Sequence, residues 1–288
     1  MTNVDLDRAA FEVAVAGEPE ESRSRSAAVE AGRWIGDRLN SLAVALAFPA
    51  LLVLLWEVST RFDLVPAQIL PDPQLVAATF LEFIETGDLA FHARISLLRV
   101  VQGFALGAGA GLVLGISMGL SKRVRELVDP LFLAVAQVPA LGWVPLLMLL
   151  VGIDEALKVI VIAKAAAIPV TINTYKGIRN VPRIYREVGE VLTFGPWLTL
   201  SRIVLPASVP SIFTGIRYGL TNAWLALVAV ELLASSEGLG YLMVWGRQLF
   251  QLDLVIMAMI VVGVIGFVLD WGLGLVERRL QRWEVSGS

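Results

Sequence analysis

The sequence predicts an all-α membrane protein with about six transmembrane helices. Three observations carry this. Hydrophobic residues fill 57% of 288 positions and charged ones 17%, with a mean hydropathy of +0.74, against roughly half and a quarter in soluble domains. Six apolar runs, over 42–60, 98–120, 130–152, 157–175, 212–234 and 253–276, each approach the roughly 20 residues a helix needs to cross the hydrocarbon layer. Backbone groups cannot stay unpaired in lipid, so these runs must be helices, and the alternation of barrel strands is missing.

Taken in order, residues 1–40 are polar (Glu18, Glu20, Glu21, Arg23, Arg25). They predict a disordered cytoplasmic segment without the apolar core of a cleavable signal. The membrane domain follows over 41–283, with a short tail at 284–288. Its first run is the weakest, interrupted by Glu57 and open to a kink at Pro49. Pro66, Pro71 and Pro73 make the next connection turn-rich, with a short helix expected over Gln74–Thr86 on the outer surface.

The second run repeats Gly103, Gly107, Gly111, Gly115 and Gly119 every four residues. On a helix these share one face and let another backbone approach closely, either within one bundle or as a seam between subunits. A nucleotide-loop reading of 107–111 fails, because no Gly-Lys-Ser/Thr follows and the segment is buried in an apolar run. Gln137-Val138-Pro139 and Pro145 predict a broken third helix, tolerated where it lines a cavity. Trp143 between those prolines is a core aromatic or a gate.

Polar groups within the runs include Gln102, Gln137, Lys164, Asn173, Asn222, Glu231 and Asp270. A charge at membrane depth costs about 2.5–3.5 kcal/mol on insertion scales, so it should face protein or water. Lys164 reads as a cation lining an anion's path, or as a structural lysine that pairs with Glu231 or Asp270 or snorkels. Glu231, near the outer end of the fifth run, reads as a rim carboxylate. Asn173 and Asp270, near the inner ends, read as hydrated. The path candidates from the third to fifth runs are Gln137, Trp143, Lys164, Asn222 and Glu231.

Orientation follows from basic residues. Arg8, Arg23, Arg25, Arg33 and Arg38, then Lys122, Arg123 and Arg125, the loop 175–211, and Arg278, Arg279 and Arg282 fall on one side. Such an excess places both termini and the 175–211 loop in the cytoplasm, leaving 61–97, 153–156 and 235–252 outside. A loop as long as 175–211 between spans usually has a job. Glu187-Val188-Gly189 followed by a helix-breaking Leu205-Pro206 predicts a short helix outside the membrane, available to dock on another protein.

Several functions are excluded. A net charge of −3 argues against nucleic-acid binding. No cysteine and a single histidine, His92, leave no thiolate or histidine metal site.

At the 175–211 loop the sequence resembles the EAA signature of ABC importer permeases, with Glu187-Val188-Gly189 and then Ile203-Val204-Leu205-Pro206 at the usual spacing. Gly189 replaces the second alanine. Thr193 stands where the motif's glycine is expected, with Gly195 two residues later, so the turn between the two short helices is expected to shift. Ile69-Leu70-Pro71-Asp72-Pro73, Val138-Pro139-Ala140-Leu141, Gly152 to Lys158, Asn173 to Asn180 and Gly238 to Leu242 look like the branch importing aliphatic sulfonates, taurine and nitrate. This likeness runs from about 40 to 283.

The resemblance implies a type I importer architecture. Two permeases, with two copies of this chain expected, work with two ATPase subunits and an extracytoplasmic binding protein in the inner membrane, moving a small anionic solute. The chain itself is then neither an enzyme nor a cofactor binder. It lacks a Walker motif, and ATP and Mg sit on the partner. Glu187, Val188, Gly189, Phe194, Gly195, Trp197, Leu205 and Pro206 become the ATPase-coupling residues. Among these, Gly189 allows close approach and Phe194 and Trp197 supply anchors. The rival reading is an ion-coupled secondary transporter working without an ATPase, which would usually show internal repeats; none is convincing here. An intramembrane enzyme lacks a nucleophile–base pair.

Overall fold

A computed structural model describes residue 44 and residues 47–280. The 1–40 segment and the 284–288 tail expected from the sequence lie outside the described residues. The chain divides into two units at Val65–Pro66. The described part of the first is helix α1, over 47–61, with Pro49 and Glu57 both inside helical backbone. It ends in a turn in which Asp63 takes a positive φ of 52° and Leu64 N–H donates to Ser59 O at 3.0 Å.

The second unit is all-helical among the described residues. Helix α2 spans Pro73–Glu85, one residue ahead of the expected Gln74–Thr86. Proline opens it because the first-turn N–H has no intrahelical partner to lose. Helix α3 (Asp88–Leu120) follows a left-handed Gly87, φ 83°. It stops at Ser121, whose hydroxyl accepts from Val124 N–H at 3.3 Å and caps α4 (Lys122–Gln137). Val138 is extended, as a residue before proline prefers, and the chain turns through a 3₁₀ segment, Ala140–Trp143, into α5 (Val144–Val151). The two arms of this broken helix meet at 93°.

Helix α6 (Glu155–Arg179) is the centre of the unit. The glycine stripe of α3 lies along it. A Cβ at Gly103 would fall 2.6 Å from Ile162, one at Gly111 2.8 Å from the Ala167 carbonyl, and one at Gly119 2.9 Å from Ile178; one at Gly107 would overlap the Ala163 carbonyl. The stripe is therefore a backbone-to-backbone seam inside the chain, the first of its two expected uses. Residue numbers rise together along the seam, so α3 and α6 run parallel. Residues 121–154 must then carry the chain back from one end of the bundle to the other, which is what the bent α4–α5 pair does.

A short helix α7 (Arg183–Val191), a single turn α8 (Pro196–Thr199) and a wide π-type turn (Leu200–Val204) lead into α9 (Leu205–Ala234). Helix α9 packs antiparallel to α6. Gly177 faces Ser211, and Gly219 faces Val170 and Ala166. Leu157, Val161 and Ala165 meet Ala226, Val230, Ala234 and Val144 in the main apolar core. Helix α10 (Leu239–Gln248) and helix α11 (Leu252–Leu280) complete the unit, with Gly266 of α11 against Trp224 of α9. Thr79 of α2 donates to Asp253 at 2.6 Å.

Three stretches, Asp88–Leu120, Pro196–Gln248 and Leu252–Arg279, are long and apolar enough to cross a membrane, and the bent pair makes a fourth. The described residues thus fall short of the six expected spans by this measure. Helix α6, with Lys158 and Lys164 inside it, is not among them, although it is the most enclosed helix of the bundle.

Candidate functional site

The break in the third helix opens a cavity of ≈ 330 Å³ between the bent pair, α6 and α9, lined by Val138, Leu141, Lys164, Ile168, Asn222 and Leu225 among others. Lys164 enters it from α6. Its ammonium donates to the Val138 carbonyl at 2.5 Å and sits 5.4 Å from the Trp143 ring centroid. Both contacts are consequences of the break. Val138 O is left without a helical donor, and it lies at the C-terminal end of α4, where a cation is favoured. Asn222 donates to Tyr218 O in its own helix at 3.0 Å, which leaves its side-chain oxygen free to accept. The structure therefore brings Trp143, Lys164 and Asn222 together. Gln137 is the last residue of α4 and is exposed beside the break.

The expected pairing of Lys164 with Glu231 or Asp270 does not occur. Nor is Glu231 at the rim or in the cavity. It is 1% exposed and its carboxylate is fully engaged near the junction of α9 and α10. Ser96 Oγ donates to both of its oxygens at 2.9 Å, Arg99 Nη1 to Oε1 at 2.7 Å and Gly240 N–H to Oε2 at 2.9 Å. Arg99 also forks onto Glu155, Nε to Oε2 at 2.7 Å and Nη2 to Oε1 at 2.6 Å, and reaches Glu237 O at 2.7 Å. Lys158 joins through Glu155 Oε1 at 2.7 Å. Two cations meet two carboxylates; Arg99, Lys158 and Glu231 are buried, whereas the Glu155 side chain remains in contact with water. Glu155, outside the spans at the first residue of α6, is held at a pKa of about 2 by its hydrogen bonds to Arg99 and, more weakly, Lys158, so it stays ionised at ordinary pH. Gly238, φ 112°, passes so close to the Glu231 carboxylate that no side chain fits there.

Asp270, expected to be hydrated, is half-exposed and accepts a bidentate Arg217 at 2.8 and 2.7 Å, and Arg217 Nη1 also donates to Glu277 Oε2 at 3.3 Å. Asn173 bonds Pro169 O in its own helix at 2.8 Å. Sequence reasoning missed Arg99, Lys158 and Arg217, which sit near the edges of apolar runs and look like boundary charges. One signal was available. Each carboxylate inside an apolar run demands a cation in another, and Arg99 and Arg217 are the arginines within 98–120 and 212–234.

Of the expected 175–211 loop, 175–179 belong to α6 and 205–211 to α9, and the chain between them folds as the short helices α7 and α8 and the π-type turn, with an exposed apolar face. Ile184, Tyr185, Val188, Val191 and Trp197 are 49–82% exposed. Gly189 is buried, with Ile203 Cδ1 3.0 Å from where a Cβ would stand. The turn does not shift to Gly195, whose φ is −65°. Thr193 itself takes the left-handed conformation, φ 54°. Phe194 N–H donates to Gly189 O at 2.8 Å and Thr193 N–H to Glu190 O at 2.9 Å, the bond pair of a Schellman stop usually built on glycine. Leu205-Pro206 does not break a helix. Pro206 lies in the first turn of α9, and the π-type turn before it widens the backbone where proline offers no N–H. Glu187 is exposed on α7, Phe194 is half-buried and Leu205 opens α9.

A bundle with a parallel glycine seam, a broken helix that holds a half-buried lysine at a cavity and a short amphipathic helix pair outside the long helices has the build of a transport permease. Residues 107–282 match the family described as binding-protein-dependent transport system inner membrane component, and the chain belongs to that family. It is similar to the putative aliphatic sulfonates transport permease protein SsuC of Bacillus subtilis, 41% identical over 84% of this chain and 87% of that protein. It is also similar to the taurine transport system permease protein TauC of Escherichia coli, 31% identical over 85% and 91%. The fold is that of a chain in inward-facing structures of the MetNI methionine ABC transporter, with TM-score 0.50, 14% identity, and 65% of this chain and 91% of that one covered. The chain is an inner-membrane ABC importer permease, not a catalytic subunit.

Proposed function

We propose that two copies of this chain form the path of an ATP-driven importer for a small anionic solute (a sulfonate, taurine, nitrate or a similar ion) delivered by an external binding protein. Both termini and the 175–211 loop face the cytoplasm. Glu187, Val188, Gly189, Phe194, Gly195, Trp197, Leu205 and Pro206 form the dock for an ATPase subunit, which carries the ATP and Mg. The observation that carries this reading is the exposed apolar face of α7 outside the long helices, Ile184, Tyr185, Val188 and Val191. A surface of that kind on a stiff, well-stopped helix marks a protein contact, and a small helix seated in a partner transmits a rigid-body movement because packed interfaces switch between discrete arrangements. The anion part rests on the relatives' substrates and on Lys164 at the cavity.

The test is Gly189→Trp. Its ring cannot fit against Ile203 and Thr199, so α7 must move. ATP-dependent uptake and binding-protein-stimulated ATP hydrolysis are expected to be lost while membrane insertion is retained. Normal uptake and stimulation in this variant refute the dock. Mass measurement of the purified complex checks the two copies, and uptake without an ATPase subunit would return the reading to a secondary transporter.

A further inference from the structure

Among the described residues lining the cavity at the helix break, Lys164 is the one ionisable group. The carboxylates that could have neutralised it are committed elsewhere, Glu231 to Arg99 and Asp270 to Arg217. An ammonium has three donors. One goes to Val138 O, which leaves two for the oxygens of an oxyanion. The ammonium is held in place by that carbonyl and by the Trp143 ring, both favourable to a cation. Beyond it the wall is methyl and methylene, from Ala140, Ile168, Leu225 and Ala229, with the amide of Asn222 as the polar exception. One cation beside an apolar wall fits a sulfonate or carboxylate carrying a short aliphatic tail. A zwitterion on the same skeleton brings an ammonium that finds no carboxylate here and is repelled by Lys164.

Resting on the reading of the chain as an importer of small anions, we infer that Lys164 is a specificity-determining residue, selecting organic monoanions over zwitterions of the same skeleton at the permease step. The names of the two relatives differ in this respect. An aliphatic sulfonate has no second charge, and taurine has an ammonium two carbons from its sulfonate.

The experiment uses the complete complex, with its ATPase and binding protein, in proteoliposomes. Ethanesulfonate and taurine differ by the ammonium alone. With the binding protein saturated by each solute, the ratio of maximal uptake rates reports the permease. The wild-type complex is expected to favour ethanesulfonate by about tenfold or more, the discrimination that one like-charge encounter near a protein surface provides. Lys164→Met and Lys164→Gln bring the ratio close to one, and Lys164→Arg preserves it. The same binding protein serves every variant, so a change in ratio belongs to the permease. A wild-type ratio near one overturns the inference without any variant having to fold. Sulfonate uptake whose ratio is unchanged in both neutral variants overturns the inference and leaves the importer reading standing. A wild-type complex that imports no anion overturns both.

Discussion

Replacing Arg99 with methionine removes the cation that Glu231 depends on. Arg99 is 3% and Glu231 1% exposed, and Nη1 lies 2.7 Å from Oε1. At an effective dielectric of 20 that separation is worth about 6 kcal/mol of gross attraction, most of it offset by the desolvation of two ions. Deleting one partner forfeits the attraction and keeps the desolvation. Glu231 would retain only the Ser96 hydroxyl and the Gly240 N–H, a loss of about 3–5 kcal/mol. Glu155 adds little to this, because its side chain is 61% exposed and rehydrates; exposed pairs contribute about 1 kcal/mol at most. At about 2–4 °C per kcal/mol, Arg99→Met is expected to lower the apparent unfolding temperature of the detergent-solubilised protein by about 6–20 °C. Arg99→Met combined with Glu231→Met buries no lone charge and should be less damaged than Arg99→Met alone. Tryptophan fluorescence on heating, for wild type, both single variants and the double variant, completes the cycle. A double variant whose loss equals the sum of the two single losses refutes the pairing as the source of stability.

Two further outcomes follow from backbone geometry. Gly107→Leu drives a side chain into the Ala163 backbone, which cannot yield, and should cost about 3 kcal/mol or more. Gly109→Leu two residues away meets nothing within 4 Å and should be neutral or stabilising by about 0.5–1 kcal/mol; thermal unfolding of the two variants compares them directly, and equal losses would show that the seam is not what holds α3 to α6. Thr193→Gly removes a side chain from a left-handed position and should stabilise the α7–α8 turn by about 1 kcal/mol, seen as slower proteolytic nicking within 187–198; unchanged or faster nicking contradicts the strained-turn reading.

Features that depend on backbone chemistry at fixed spacing can be read directly from the residues. Proline before a helix and proline after Val138 act on their immediate neighbours, so the α2 start and the break in the third helix were legible within a residue. The four-residue glycine repeat serves close approach, within one bundle or between subunits, and only the packing selects α6 as its partner. The placement of the charges was decided by tertiary structure. Glu231 reads as a rim carboxylate until α3 brings Ser96 and Arg99 against it, and Lys164 reads as a candidate for a carboxylate partner until the broken helix offers it a carbonyl and a ring. Thr193 shows the same limit at short range, because the stop after α7 needs a left-handed residue at that point and the surrounding contacts impose it on a threonine. Helix formation and helix breaking are local. The partner of a buried charge depends on which side chains three-dimensional packing brings within 3 Å, often more than a hundred residues away in the chain, as with the 132 positions between Arg99 and Glu231.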